Sequence, residues 1–276
     1  MIIRHDINPD RYLTDAQEFP AVVAVDSCPE EIQIAYDNID ELLKPSLITA
    51  AQMTPAYRTR CDGMGSLIHP RWILSAAHVA TELAVNKEIE FADEAIAIQR
   101  IVLHPQFQNY TLEQDMAAHD IALIELRQPV KDISPLPLYR QTDELNRIAT
   151  FIGRGDFGHG LIGPDQVDGK MRIATNRIDK VDAQRLMFKF DAPPDGTELE
   201  GISGPGDSGG PALLKMEEGW AIAGISAGQI SRLPSGQNLG EGRYGVWEYH
   251  TRVSTYIDWI ESVMLTADPI TTNIEE

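Results

Sequence analysis

Gly204-Pro205-Gly206-Asp207-Ser208-Gly209-Gly210-Pro211 is the stretch on which the reading of this chain turns. A serine set among glycines in a tight turn presents its hydroxyl, because glycine takes positive φ and lets the backbone come close to a substrate. The N–H groups of Gly206 and Ser208 can then converge on a developing oxyanion, with Asp207 just behind them. By itself such a turn is ordinarily only a turn.

Two other stretches change that reading. Trp72-Ile73-Leu74-Ser75-Ala76-Ala77-His78-Val79 runs from an apolar strand through small residues to a histidine, and His119-Asp120-Ile121-Ala122-Leu123-Ile124-Glu125-Leu126 opens an apolar strand with an aspartate. A hydroxyl near its free pKa is a poor nucleophile and needs an imidazole to take its proton. The imidazole in turn needs a carboxylate to fix its tautomer and stabilise its cation. Nucleophile, base and orienting acid are all present, in the chain order His78, Asp120, Ser208.

On the strength of Ser75-Ala76-Ala77-His78, Asp120-Ile121-Ala122-Leu123 and Gly206-Asp207-Ser208-Gly209-Gly210-Pro211, the chain resembles the chymotrypsin/trypsin family of serine endopeptidases. The resemblance implies an all-β fold of two antiparallel Greek-key barrels with a C-terminal α-helix. It divides the chain into residues 1–130, an arm and a first barrel carrying His78 and Asp120, and residues 131–276, a linker, a second barrel carrying Ser208, and the helix. The roles carried over are His78, Asp120 and Ser208 as the catalytic triad and the Gly206 and Ser208 N–H groups as the oxyanion hole. Ser226 corresponds to the serine that supports the triad aspartate, and Ala227 stands where a tryptophan is usual, leaving one wall of the primary pocket more open. Gly228 continues that substrate-binding strand.

Ile202, six residues before the nucleophile, falls at the pocket floor. An apolar floor disfavours burying a substrate Arg or Lys and favours an apolar residue before the scissile bond. The segment Tyr244-Gly245-Val246-Trp247-Glu248-Tyr249-His250 leaves a second reading open, since either Gly245 or Glu248 reaches the pocket, and Glu248 would restore a preference for basic residues. Asp207 requires a cation. The resemblance implies the α-amino group of a mature chain beginning with two apolar residues, for which Ile2-Ile3 is suited, with Met1 outside the active enzyme. Arg4 or His5 is the other source of charge. A binding protein without catalysis and a hydrolase acting mainly on esters are the alternative classes.

The resemblance implies polypeptide substrates, and composition speaks against other partners. With 23 Lys and Arg against 42 Asp and Glu the formal charge is −19, which disfavours nucleic acid and anionic membranes. No apolar run is long enough to span a bilayer. No charged-then-apolar signal segment follows Met1, whereas the resembled family is normally exported, which implies a secreted or periplasmic location. Cys28 and Cys61 are the only cysteines, and either a disulfide or two buried thiols fits their positions. The family bridge beside the catalytic histidine is ruled out, because Val79 follows His78. Glu88, Glu90, Asp93 and Glu94 resemble a shortened calcium loop of some relatives, or a solvated acidic loop; no other cofactor is expected.

Along the chain, residues 29–57 read as an insertion with helical spacing, and Gln128–Arg140 as the linker. His69 and His104 read as turn residues. Ser254 to Met264 reads as an amphipathic helix capped by Ser254 and packed on the second barrel. Arg154-Gly155-Asp156 spells an adhesion tripeptide that chance alone explains.

Overall fold

The structure, a computed structural model, describes residues 1–25, 63–109, 116–232 and 235–266. Cys28, Cys61 and the 29–57 insertion lie outside the described residues, and with them the question of a disulfide.

Strand β1 (Ile2–Ile3) opens the chain and β2 (Val22–Ala24) follows the arm. Then come β3 (Met64–His69), β4 (Trp72–Ser75), β5 (Glu88–Glu90), β6 (Ala95–Leu103) and β7 (Ala122–Leu126). The second half carries β8 (Ile148–Gly153), β9 (Phe157–His159), β10 (Gly163–Gln166), β11 (Arg172–Arg177), β12 (Lys180–Val181) and β13 (Arg185–Lys189). It continues with β14 (Gly201–Ile202), β15 (Pro211–Lys215), β16 (Trp220–Ile230) and β17 (Trp247–Arg252).

Two curled antiparallel sheets result. The first runs β2-β3-β4-β7-β6-β5, and β5 comes back against β2; the second runs β11-β8-β15-β16-β17-β13-β12, and β11 comes back against β13. Closing a sheet on itself buries its inner face and removes free edges. Strand β7, between β4 and β6, is buried at every position, so its apolar run Ala122-Leu123-Ile124 needs no polar alternation. Its one charged residue, Glu125, is 2% exposed and is held by Arg71 at 2.9 Å and Arg100 at 3.0 Å. This is the fold class that the triad motifs imply.

Three local expectations change. The arm does not simply lead into the first barrel: β1 pairs with β9 and β14 in a third, four-stranded sheet of the second half. Tyr12, fully buried, ties the arm down further by donating its hydroxyl proton to the Glu200 carbonyl at 3.1 Å. Ser254 does not cap the last helix, because its hydroxyl is taken by Glu144 at 2.8 Å, and a 3-10 turn (Val253–Thr255) precedes α2 (Ile257–Leu265). That helix buries Ile257 and Ile260 in a cluster containing Val22, Leu67 and Leu123 of the first sheet as well as Leu213, Ile222 and Ile225 of the second. It packs where the two halves meet, and its Trp259 ring reaches His104 with centroids 5.0 Å apart. Asp156 is fully buried, so Arg154-Gly155-Asp156 is not presented as an adhesion motif.

Candidate active site

His78 sits in a single helical turn, α1 (Ala77–Ala80), directly after β4. The small residues at 76 and 77 are fully buried there and let the turn press against the sheet. Asp120 precedes β7, the strand hydrogen-bonded to β4, so two residues 42 positions apart meet at neighbouring strand ends. One carboxylate oxygen of Asp120 accepts the His78 main-chain N–H at 2.8 Å, and the other lies 2.6 Å from His78 Nδ1. Asp120 is 1% exposed, the imidazole 22%. Thr251, on β17 of the other half, donates its hydroxyl proton to the Asp120 carbonyl at 2.7 Å. Thr251 lies in a segment notable in the sequence only for its alignment, and nothing there announced this contact.

Behind Asp120, His119 has φ 50° and stacks on His104, the rings 4.9 Å apart and 5° from parallel. Tyr256 lies 3.1 Å from His119 Nδ1 and the Gln184 amide 2.9 Å from Nε2. Burial lowers both imidazoles, helped by the neighbouring His119 in the case of His104 and by Arg185 in the case of His119. His104 is thus a packing residue in a polar aromatic cluster, and His69 is a turn residue whose Nδ1 accepts from Arg71 at 3.3 Å.

The serine turn is fixed from both sides. Gly209 has φ 82°, and a Cβ there would stand 2.2 Å from the Met64 carbonyl and 2.4 Å from Ser75 Oγ; this close approach seats the turn against the end of β4, beside the histidine. The Ser208 carbonyl accepts from Met64 at 2.7 Å. Gly206 has φ 87°. The Asp207, Gly209 and Gly210 N–H groups are used within the fold, while those of Gly206 and Ser208 donate to no partner among the described residues. No hydrogen bond joins Ser208 to His78 among the described residues, as is common before substrate tightens a site.

Asp207, 1% exposed, accepts from the Gly155 N–H at 2.7 Å and the Gly204 N–H at 2.9 Å. Its cation is the α-amino group of Met1, 2.6 Å away, which also donates to the Asp156 carbonyl at 2.5 Å. In this chain the Met1 amine stands where the resemblance implies the Ile2 amine of a chain one residue shorter. Ile2 is a strand residue, fully buried opposite Ile202, and the amine that β1 points at Asp207 is the one before it. Arg4 pairs with Asp6 and His5 with Tyr244, so neither supplies the charge.

The pocket residues rearrange most. Ile202 is fully buried in an apolar cluster with Ile2, Phe190 and Val246. Ser226 does not reach Asp120; its Oγ lies 3.1 Å from Ser203 Oγ and 3.2 Å from Glu248 Oε1. Ala227 is the extra residue of a β-bulge, since Ser226 pairs with His250 and Gly228 with Tyr249. The wall expected to open there is backed by Tyr249, which is 2% exposed, lies against Gly228 and accepts from the Ala117 N–H at 3.2 Å. Of the two alignments left open, Glu248 faces inward; Gly245 forms the preceding turn with φ 90°.

Glu248 is fully buried, accepting from the Ser203 N–H at 3.1 Å and lying 2.9 Å from His250 Nε2. Burial pushes its carboxyl upward, but the attraction of His250 and the hydrogen bonds from His250 and Ser203 outweigh this and hold it below the ordinary carboxylate value. His250 Nδ1 has no hydrogen-bond partner among the described residues, and its ring is packed against Phe151 and Phe188. Nε2, toward Glu248, is therefore the ring's one hydrogen-bonded nitrogen among the described residues.

Glu94 accepts from the Lys131 N–H at 2.7 Å, and among the described residues no group of three or more His, Cys, Asp or Glu is arranged to hold a metal. No helix among them is long and apolar enough to cross a membrane.

The geometry is matched by comparison with known proteins. The profile of the trypsin family matches residues 51–260, and the chain belongs to that family. It is 30% identical to tryptase of Mus musculus over 223 residues, 71% of this chain and 76% of the tryptase. It is 26% identical to the CLIP domain-containing serine protease B4 of Anopheles gambiae over 255 residues, 81% of this chain and 67% of that protein. With the complement C1r-A subcomponent of Mus musculus it shares 28% identity over 241 residues, 75% of this chain but 31% of that longer protein.

Proposed function

We propose that the chain is a serine endopeptidase in which Ser208 is the nucleophile, His78 the general base and Asp120 the residue that orients it. The observation that carries this is the double grip of Asp120 on His78, at Nδ1 and at the main-chain N–H. With Nδ1 donating to the carboxylate, the lone pair lies on Nε2. Ser208 Oγ attacks the scissile carbonyl carbon as its proton passes to Nε2, and the oxyanion is met by the unused N–H groups of Gly206 and Ser208. Collapse breaks the C–N bond, His78 returns the proton to the leaving amine, and water repeats the sequence to free Ser208. An active export destination, secreted or periplasmic, goes with this reading.

For the residue before the scissile bond, Glu248 now outranks Ile202. Ile202 is sealed into a cluster, whereas Glu248 is a carboxylate held below its ordinary value by His250 and Ser203. A substrate Lys or Arg adds a full positive charge beside this buried carboxylate. The acidic chain as a whole favours approach of basic polypeptides.

A serine-directed phosphonylating reagent tests the catalytic reading. The native protein should take one adduct, mapped by mass to Ser208, and His78→Ala should lose it; an adduct elsewhere, or none, would sink the assignment.

A further inference from the structure

The bulge at Ala227 puts Gln229 directly opposite Glu248 on the neighbouring strand. Directly opposed residues of an antiparallel pair project to the same face. Here both side chains go to one peptide group: Glu248 accepts the Ser203 N–H at 3.1 Å, while Gln229 Nε2 donates to the Ser203 carbonyl at 2.7 Å. The other end of the Gln229 amide accepts from the Gly242 N–H at 2.8 Å. Gln229 thus bridges from β16 to Ser203 on one side and Gly242 on the other. Its side chain reaches from the strand expected to hold substrate to the segment leading to the serine turn, on the face it shares with Glu248. Ser203 is only 7% exposed and Glu248 not at all, so the space between the two walls is already filled by these side chains.

We propose that Gln229 is a latch over Glu248, and that a cationic side chain before the scissile bond has to displace it. The proposal rests on the reading of Glu248 given above. A Lys or Arg side chain entering this space replaces the Gln229 donor on the Ser203 carbonyl with its own N–H groups and pairs with Glu248, while the Gly242 N–H gives up its acceptor. An apolar side chain of similar length would also evict Gln229, yet would leave the Ser203 carbonyl without a donor in its place and bring no charge to Glu248. The latch therefore sharpens selection against large apolar residues, and it lowers the apparent affinity for the cation by the cost of opening. Two neutral hydrogen bonds set that cost at about ten- to thirtyfold in equilibrium.

The test uses the full chain, with rates normalised to Ser208 sites titrated by a phosphonylating reagent. Peptides differing only before the scissile bond (Lys, Arg, Leu, Ala) are cleaved by the unaltered protein and by Gln229→Ala, Gln229→Met and Glu248→Gln, with butylguanidinium as a competitive probe of the pocket. Gln229→Ala should raise kcat/KM for Lys and Arg peptides about tenfold, mainly through KM, and tighten butylguanidinium by a similar factor. Gln229→Met keeps the length and loses both hydrogen bonds, so it should show much of the same gain and also guards against a change due only to lost packing. If Gln229→Ala leaves Lys and Arg cleavage and butylguanidinium binding within twofold while Glu248→Gln abolishes the basic preference, the latch is wrong and the Glu248 reading stands. If the unaltered protein and Glu248→Gln favour Leu alike, the Glu248 reading itself fails, and the latch with it. A chain that cleaves best after Ala and is unmoved by butylguanidinium would make Gln229 a fixed plug, also against the proposal.

Discussion

The two sides of the site hold their carboxylates in contrasting ways. On the first-barrel side, Asp120 is gripped by His78 from an adjacent strand end, with Thr251 reaching across from the second barrel. On the second-barrel side, Asp207 takes its cation from the far end of the chain, at Met1, while Glu248 is met by Ser203 and Ser226 from two other segments and by His250 two residues along its own strand. The first arrangement depends on two adjacent strands in register. The second depends on four separate segments arriving together, and fails if any one is missing.

The largest effect should come from the first side. Asp120→Asn replaces an acceptor at Nδ1 with an amide that favours the wrong imidazole tautomer, and turnover should fall about 10⁴-fold, as in the type case of this mechanism. Burst and steady-state kinetics on a small ester would measure it, with circular dichroism checking that the fold persists. A loss of tenfold or less would mean that Asp120 is packing rather than orienting.

The second side should respond to a change at the opposite end of the chain. Extra residues before Met1 remove the amine from its place 2.6 Å from Asp207 and leave a carboxylate buried without its charge partner. Breaking a buried pair in this way costs about 3–5 kcal/mol. The Ser208 turn should lose order, with kcat/KM down by about 10²-fold or more. Comparing chains that begin at Met1, at Ile2 and with a short extension settles which amine serves. Equal activity in all three would show that the turn is ordered without it.

The smallest expected effect separates the two sides by pH. Glu200, 1% exposed, accepts from the Thr197 N–H and hydroxyl at 2.8 Å each, and burial pushes its carboxyl up to about 7. The folded chain therefore keeps this proton longer than the unfolded chain. The stability it contributes is full below the ordinary carboxylate value and is lost as the pH rises through about 7, by at most about 3 kcal/mol. His104 and His119 run the other way, since their lowered values make the folded state resist a proton that the unfolded chain accepts as the pH falls below about 6.5. Denaturant melts from pH 5 to 8 should lose their downward slope between about pH 5 and 7 for Glu200→Gln and be unchanged in slope above about pH 7. A variant with the same slope as the unaltered protein would remove Glu200 from the account.

Most of the catalytic reading was legible because its signals are local. Ser75-Ala76-Ala77-His78, Asp120-Ile121-Ala122-Leu123 and the glycines around Ser208 each specify a strand end or a turn within a few residues, and adjacent antiparallel strands convert that local information into a site. Positive φ at Gly206 and Gly209 follows the same logic, since glycine permits it at low cost. The pocket was legible only in outline. Counting residues from Ser226 placed Gly228 on the pocket wall, but one bulged residue, Ala227, shifts the register and puts Gln229 opposite Glu248.

By itself, the sequence determined the order of His78, Asp120 and Ser208, the all-β class, and the need of Asp207 for a cation. Only the tertiary structure decided that β1 brings the terminal amine to Asp207, that Ser226 turns to Glu248 instead of Asp120, that Ile202 is sealed in a cluster, and that the last helix packs between the halves. The physical reason is range. Turns and strand ends are set by neighbours in the chain, whereas register, burial and the partner of a buried charge are set by surfaces that meet only when both barrels close.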